Sequence, residues 1–414
     1  MKKVLAVFAV LVMAGLSTVA FAADVSVGGQ VAIRSRDFQN LQLDKNNNKP
    51  TVDTQEKIII DVNAKADGVK GKISVWNDFD TWGRLETQQG TNIGSGPTGT
   101  TVKSPTSIGI REAWINFNIP GIPVNVNVGH QFLALGNEWF LRLKHFGNDA
   151  WVVANVTGDN TAAFVNTKVV EGSPRSTDID FYALVDVYKI NDNNMVGINL
   201  SDVRFATQDD TFQNVELHYS GKLAMVNLKA QADMQLGKAK PGTLHAISAT
   251  SDAKYKGNQV VVNGDVALDP VTINFLVARG SGPKANQTDH NEFVTFMDID
   301  PHYTFLYEYK IAGPCGIHTS FCNTTAVGAG VSFAAAKSLT LGLDAFFLQA
   351  TEKVADKKNG TGTTSDLGSE VDLKVKWKLY DNLSWNWDAG WFIAGAGMGK
   401  DDAMGVQGIL TFNF

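Results

Sequence analysis

After residue 22 the chain has no apolar run long enough to cross a membrane as a helix. That excludes a helical membrane protein. A closed barrel stays open as a possibility, because only alternate residues of its strands face lipid and every backbone hydrogen bond is made between strands. Proline is scarce, at 11 residues against 39 glycines, which suits many turns and few broken strands. The motif C-x-x-C-H is absent, so no c-type haem is attached. The seven histidines are scattered and form no H-x-x-x-H pair. No serine sits in a nucleophile elbow. Gly94-Ser95-Gly96-Pro97 lacks the lysine and the strand–helix setting of a phosphate loop. No enzyme chemistry and no cofactor are expected.

Positive charge is also in short supply. Met1-Lys2-Lys3, the apolar stretch Val4–Val19 and Ala20-Phe21-Ala22 read as the three regions of a cleavable signal peptide. A membrane anchor is the rival reading, but the stretch is short and a small-residue cleavage site follows it at once. The mature chain, 23–414, then starts at Ala23 with 34 basic and 42 acidic side chains, a net charge of −8. That balance argues against a nucleic-acid partner. The two cysteines, Cys315 and Cys322, lie seven positions apart and read as a disulfide-closed loop in an oxidising envelope. A metal there would need more ligands than His318 supplies. Asp298-Ile299-Asp300 and Lys400-Asp401-Asp402 could hold Ca²⁺ weakly, though loop carboxylates are more often simply solvated.

What is present is alternation. Val371, Leu373, Val375, Trp377 and Leu379 fall on one face of a strand, with Glu370, Asp372, Lys374, Lys376 and Lys378 on the other. Leu383, Trp385, Trp387 and Trp391 oppose Ser384, Asn386 and Asp388 after a tight turn at Asp381-Asn382. Val226, Leu228, Ala230, Ala232 and Met234 oppose Asn227, Lys229, Gln231, Asp233 and Gln235. Ile58, Ile60 and Val62 oppose Lys57, Asp61 and Lys65 ahead of Asp67-Gly68. Short connections alternate with long ones near 38–52, 81–106, 133–148, 281–323 and 351–367. The pattern yields nineteen strands. A barrel with both ends on one side needs an even number, so 18 are expected, with 16 as the alternative and the miscount placed in 149–178 or 206–258. The fold class is all-β, a single transmembrane antiparallel barrel.

The chain ends Leu410-Thr411-Phe412-Asn413-Phe414. A last strand closed by Phe414 resembles that of Gram-negative outer-membrane barrels, in which the final aromatic is part of the signal read by the insertion machinery. The hairpin Gly368-Ser369-Glu370-Val371-Asp372 to Tyr380-Asp381-Asn382-Leu383, and the stretch Ile110-Arg111-Glu112-Ala113-Trp114-Ile115 with Val128-Gly129-His130-Gln131, resemble porins and alginate-export-like barrels. The resemblance implies a water-filled channel for ions and small hydrophilic solutes, placed in outer-membrane lipid and trimeric by analogy. Alginate itself does not suit a lumen of mixed sign. A sheath around a multihaem cytochrome, or another exporter barrel, is the competing reading.

Turning every polar face inward makes Lys57, Lys65, Lys70, Lys72, Lys374, Lys376 and Lys378 a basic wall, since the first and last strands pair. Asp178, Asp180, Asp186, Asp202 and Glu216 become an acidic wall opposite. A transverse field across the pore is the expectation. The segment 132–148 is too apolar for a loop in water. It is expected to fold inward as a constriction, presenting Glu138, Arg142 and Lys144. An inward fold would obstruct a cytochrome sheath and favour the channel.

Overall fold

The computed structural model describes residues 24–81, 108–171, 178–205, 210–241, 251–296, 303–308, 310–316 and 319–414. The expected signal peptide, Gly94–Pro97, Asp298–Asp300 and His318 lie outside them.

Eighteen strands form one closed antiparallel sheet. They are β1 (Asp24–Gln39), β2 (Thr51–Ala66), β3 (Val69–Thr81), β4 (Gly109–Asn118), β5 (Val124–Ala134) and β6 (Arg142–Thr157). Then come β7 (Asn160–Val170), β8 (Ile179–Asn191), β9 (Asn194–Phe205), β10 (Asp210–Leu223), β11 (Val226–Ala239) and β12 (Asn258–Leu268). The last six are β13 (Val271–Gly280), β14 (Thr324–Ala336), β15 (Leu339–Ala355), β16 (Thr363–Tyr380), β17 (Leu383–Ala394) and β18 (Ala403–Asn413). Each strand pairs with its neighbour in sequence. Closure comes from β1 on β18, in register from Gln30↔Asn413 to Gln39↔Met404. A further two-residue piece, Ala253–Lys254, extends the pairing of β11 at Lys238–Ala239 without adding a stave, because β11 pairs directly with β12. It lies in 206–258, a stretch where the strand pattern is hardest to count.

Turns of two to five residues join the strands at one end. They include Asp67-Gly68, Gly158-Asp159, Ala224-Met225 and Asp381-Asn382. The longer connections all lie at the other end. β1 begins and β18 ends at the short-turn end, as an even strand count requires. Phe414 finishes the seam: its N–H donates to Gly29 O at 3.1 Å, its O accepts from Gly29 N at 3.0 Å, and its ring stacks on Phe412.

The outer face is apolar. Leu184, Leu217, Val277, Phe347 and Leu373 are all exposed on it. Trp377, Trp385 and Trp387 cluster at the short-turn end, with ring centroids 6.5 and 5.3 Å apart. Such an aromatic band suits a membrane–water boundary.

The inner face is partly filled. One buried cluster gathers Phe38, Trp139, Leu306, Tyr307, Phe321, Leu348 and Phe392. A second gathers Phe140, Leu141, Phe181, Val203, Phe212, Tyr255 and Phe293. Both clusters join strand residues to loop residues, so loops pack inside the barrel.

Candidate functional site in the barrel lumen

The loop between β5 and β6, residues 135–141, runs inside the lumen to β10, β11 and β12. Asn137 N donates to Gln231 Oε1 at 3.0 Å, and Asn137 Nδ2 donates to Tyr219 O and Ala230 O at 3.0 and 2.8 Å. Trp139 O accepts from Gln259 Nε2 at 3.1 Å. Phe140 and Leu141 have no exposed surface. Gly136 is required where the loop meets the wall. Its φ is +51°, and a Cβ there would lie 1.5 Å from Glu216 Oε1. Apolar residues in this connection are thus explained by burial in the lumen.

Within that loop Glu138 meets Arg142 at 3.3 Å and also pairs with Lys144. The three charges stand together where the loop enters β6.

The loop between β13 and β14, 281–323, is a second inward element. The carboxylate of Glu370 accepts the N–H groups of Phe305, Leu306 and Tyr307 at 2.8, 2.6 and 2.8 Å. Asp372 accepts from Phe305 N as well, at 3.1 Å. Tyr307 stacks on Phe392, and Tyr303 on Phe321, whose ring also meets Trp139. The two loops therefore touch at Trp139. Cys315 and Cys322 form a disulfide in this loop. In the sequence 281–323 reads only as a long connection. The signal was there: Tyr303-Thr304-Phe305-Leu306-Tyr307 is as apolar as 132–141, and two adjacent acids on β16 needed partners.

Beneath Trp139 and Tyr303 lies a cavity of about 610 Å³. Its wall carries one cross-strand row: Asn227↔Asp265↔Asn274↔Gly330↔Asp344. Asn274 Nδ2 donates to Asp344 Oδ1 at 2.9 Å across β14, and Lys374 reaches Asp344 at 2.7 Å. Gly330 makes the bridge possible, since a Cβ there would lie 1.7 Å from Asp344 Oδ1. Asn227 Nδ2 donates to Asp265 Oδ2 at 2.8 Å.

The lysines read from the sequence as one wall share the inner-face alternation of β2, β3 and β16, but carboxylates stand among them. Lys72 pairs with Glu112 and meets Asp61 at 3.6 Å. Lys57 stands over the Phe79 ring at 4.6 Å. Lys65 and Lys70 face each other across the Asp67-Gly68 turn. Lys378 pairs with Asp381 of the next turn at 2.7 Å, holding that exposed carboxyl below its ordinary range. Lys376 is exposed. Between β16 and β2, β1 adds Arg34 and Arg36, the latter paired with Asp53.

The acidic wall does not form. Of its five residues, Glu216 faces inward, fully buried, and receives Asn199 Nδ2 at 2.8 Å. Asp180, Asp186 and Asp202 lie on the outer face, in step with exposed Leu184, Tyr188 and Leu200. Asp202 pairs there with Arg204 at 2.7 Å. Asp178 and Asp180 both meet Lys168 at the long-loop end, at 3.1 and 2.7 Å. The reason is physical. On β8 the inner face is apolar, because Phe181 and Ala183, with Val203 of β9, pack against the inserted loops. Assigning polar residues inward fails wherever a barrel is plugged. A transverse field built on these carboxylates has no basis.

Among acids read as weak cation ligands, Asp401 instead meets Lys45 at 3.3 Å, and Asp402 accepts Ala394 N at 3.1 Å.

With the barrel, the inward loops and the polar lumen in view, solved structures give the comparison. Pseudomonas aeruginosa OccK11 (OpdR) superposes with a TM-score of 0.59 at 9% identity, over 95% of this chain and 96% of that one. The fold is that of outer-membrane porin barrels. Pseudomonas aeruginosa OprD, an outer membrane protein, matches at 0.55 and 10% identity, over 94% of each chain. A BenF-like porin from Pseudomonas fluorescens matches at 0.58 and 12%, over 95% of this chain and all of the other. Comparison by sequence with protein families finds no match, and none is found among curated proteins. Porin barrels thus share with this chain its architecture across nearly the whole length, at identities that carry the fold alone.

Proposed function

We propose that the protein is an outer-membrane porin that lets ions and small hydrophilic solutes diffuse through its lumen. One observation carries this reading: a closed, externally apolar barrel whose polar lumen is narrowed by loop 135–141 rather than left wide. The same loop disfavours a sheath around a cytochrome, which needs an open bore. The solved structures named above, one of them a BenF-like porin, support the class. Under this reading residues 1–22 are the cleaved export signal, and Phe414 presents the final strand to the insertion machinery. Lys374, Lys376 and the Glu138–Arg142–Lys144 group line the path.

The assembly is proposed as a homotrimer. Asp186 supports it: this carboxylate sits on the outer face among Leu184, Tyr188 and Ile198, where lipid would be a costly neighbour and a subunit contact would not. Asp186→Leu is expected to shift the purified protein toward monomer in size analysis with multi-angle scattering.

Swelling of liposomes loaded with the protein tests the channel itself. Small sugars should enter faster than in protein-free vesicles, with a cut-off as solute size grows. Equal rates with and without folded protein would refute the porin reading.

A further inference from the structure

Four side chains form one cross-strand row on the inner wall beneath the constriction loop: Asn199 of β9, Glu216 of β10, Asp233 of β11 and Gln259 of β12. Their exposures are 0%, 0%, 4% and 1%. Two carboxylates therefore face each other across neighbouring strands in a sealed site. Like charges opposite one another destabilise a sheet, and burying them without a counter-charge is costly.

No lysine or arginine answers them among the described residues. His218 Nδ1 lies 3.1 Å from Glu216 Oε1. Asp233 is held by amides alone: Asn214, Gln231 and Gln259 each donate to it at 2.9 Å.

A second observation is independent of the charges. Asn199 Oδ1, Asn214 Oδ1, Gln259 Oε1 and Glu216 Oε2 have no hydrogen-bond partner, although their side chains are at most 1% exposed. Buried acceptors left unmet are rare and unfavourable. The site has a surplus of oxygen acceptors and a deficit of positive charge. Both are remedied by one kind of ligand, a hard divalent cation, which takes carboxylate and amide oxygens together. No group of three or more His, Cys, Asp or Glu side chains is arranged for a metal among the described residues, so amide oxygens must complete this shell. A half-turn of an amide exchanges its NH₂ for its oxygen at nearly the same place.

We propose that Asn199, Asn214, Glu216, Asp233 and Gln259 bind a divalent cation of the Ca²⁺ class, and that this cation fastens the constriction loop to the wall. The coupling is structural. Gln231, which donates to Asp233, accepts Asn137 N, and Gly136 lies against Glu216. The inference stands whether or not the lumen conducts.

The test uses the mature full-length protein in detergent, stripped with a chelator at neutral pH and titrated with Ca²⁺ alone. Its unfolding temperature should rise by several degrees and fall again on chelation. Tb³⁺ in place of Ca²⁺ should luminesce on indole excitation, with Trp139 as the principal antenna. Trp139→Phe should keep the Ca²⁺ shift but lose most of the emission. The double variant Glu216→Gln with Asp233→Asn should lose both. If that variant does not fold, the native titration still decides. A native protein with no Ca²⁺-dependent shift and no Tb³⁺ emission overturns the proposal. So does a shift that survives in the double variant, or an emission that Trp139→Phe leaves unchanged, because either places the ion elsewhere.

Discussion

The carboxylate of Glu370 accepts the backbone N–H of Leu306 at 2.6 Å, joining the middle of β16 to a loop that begins at residue 281. Phe305 and Tyr307 donate to the same group. A single side chain thus accepts from three consecutive backbone donors.

Glu370→Ala removes the acceptor of Leu306 and Tyr307 and leaves Phe305 with Asp372 alone. It should cost roughly 2–4 kcal/mol, the range for stripping a charged partner from buried groups. It should also raise single-channel conductance, because segment 303–308 loses its hold on the wall. Glu370→Gln keeps an acceptor oxygen and should cost less. Chemical denaturation of the refolded barrel and single-channel recording check both effects. An unchanged conductance in Glu370→Ala would mean that the segment stays in place by packing alone.

Face assignment predicts a contrast between two charge reversals. Lys376 faces the lumen, so Lys376→Glu should move the reversal potential in a salt gradient toward cation selectivity. Asp180 faces outward and pairs with Lys168, so Asp180→Lys should leave selectivity unchanged. Equal shifts from both variants would contradict the inner and outer faces described above.

Lys310, in the loop between β13 and β14, stands over the Phe38 ring at 5.3 Å. Burial, and then the charges of Arg34 and Arg36, bring its ammonium down from 10.5 to about 7. Between those values the unfolded chain binds the proton and the folded one does not. Unfolding there takes up a proton, so stability rises with pH across the window from about 7 to 10.5 and its penalty is full below about 7. Lys310→Met should flatten that rise. Unfolding free energies measured at the two ends of the window, in native protein and variant, check the sign.

The outer architecture was legible because lipid and water impose a period of two. Strand pairs such as 371–379 with 383–391 carry it without ambiguity, and Phe414 closes the last strand on β1. The inward packing of 135–141 was legible too, from apolar residues where a loop should be polar. The acidic wall was not. Ile179-Asp180-Phe181-Tyr182-Ala183-Leu184 is apolar on both faces, and which face turns inward depends on Phe140 and Phe296, far away in sequence. Alternation fixes the spacing of a strand and leaves its phase to long-range packing. The row Asn199–Glu216–Asp233–Gln259 was hidden for a related reason, since register between four strands is set by their turns.

Single-channel current through the purified mature protein in a planar bilayer tests the central claim most directly. The account predicts stable ohmic steps, grouped in threes if the trimer holds. It predicts larger steps from Asn137→Ala, which frees loop 135–141 from Tyr219 and Ala230. A correctly folded barrel that leaves the bilayer closed, in both native protein and variant, would contradict it.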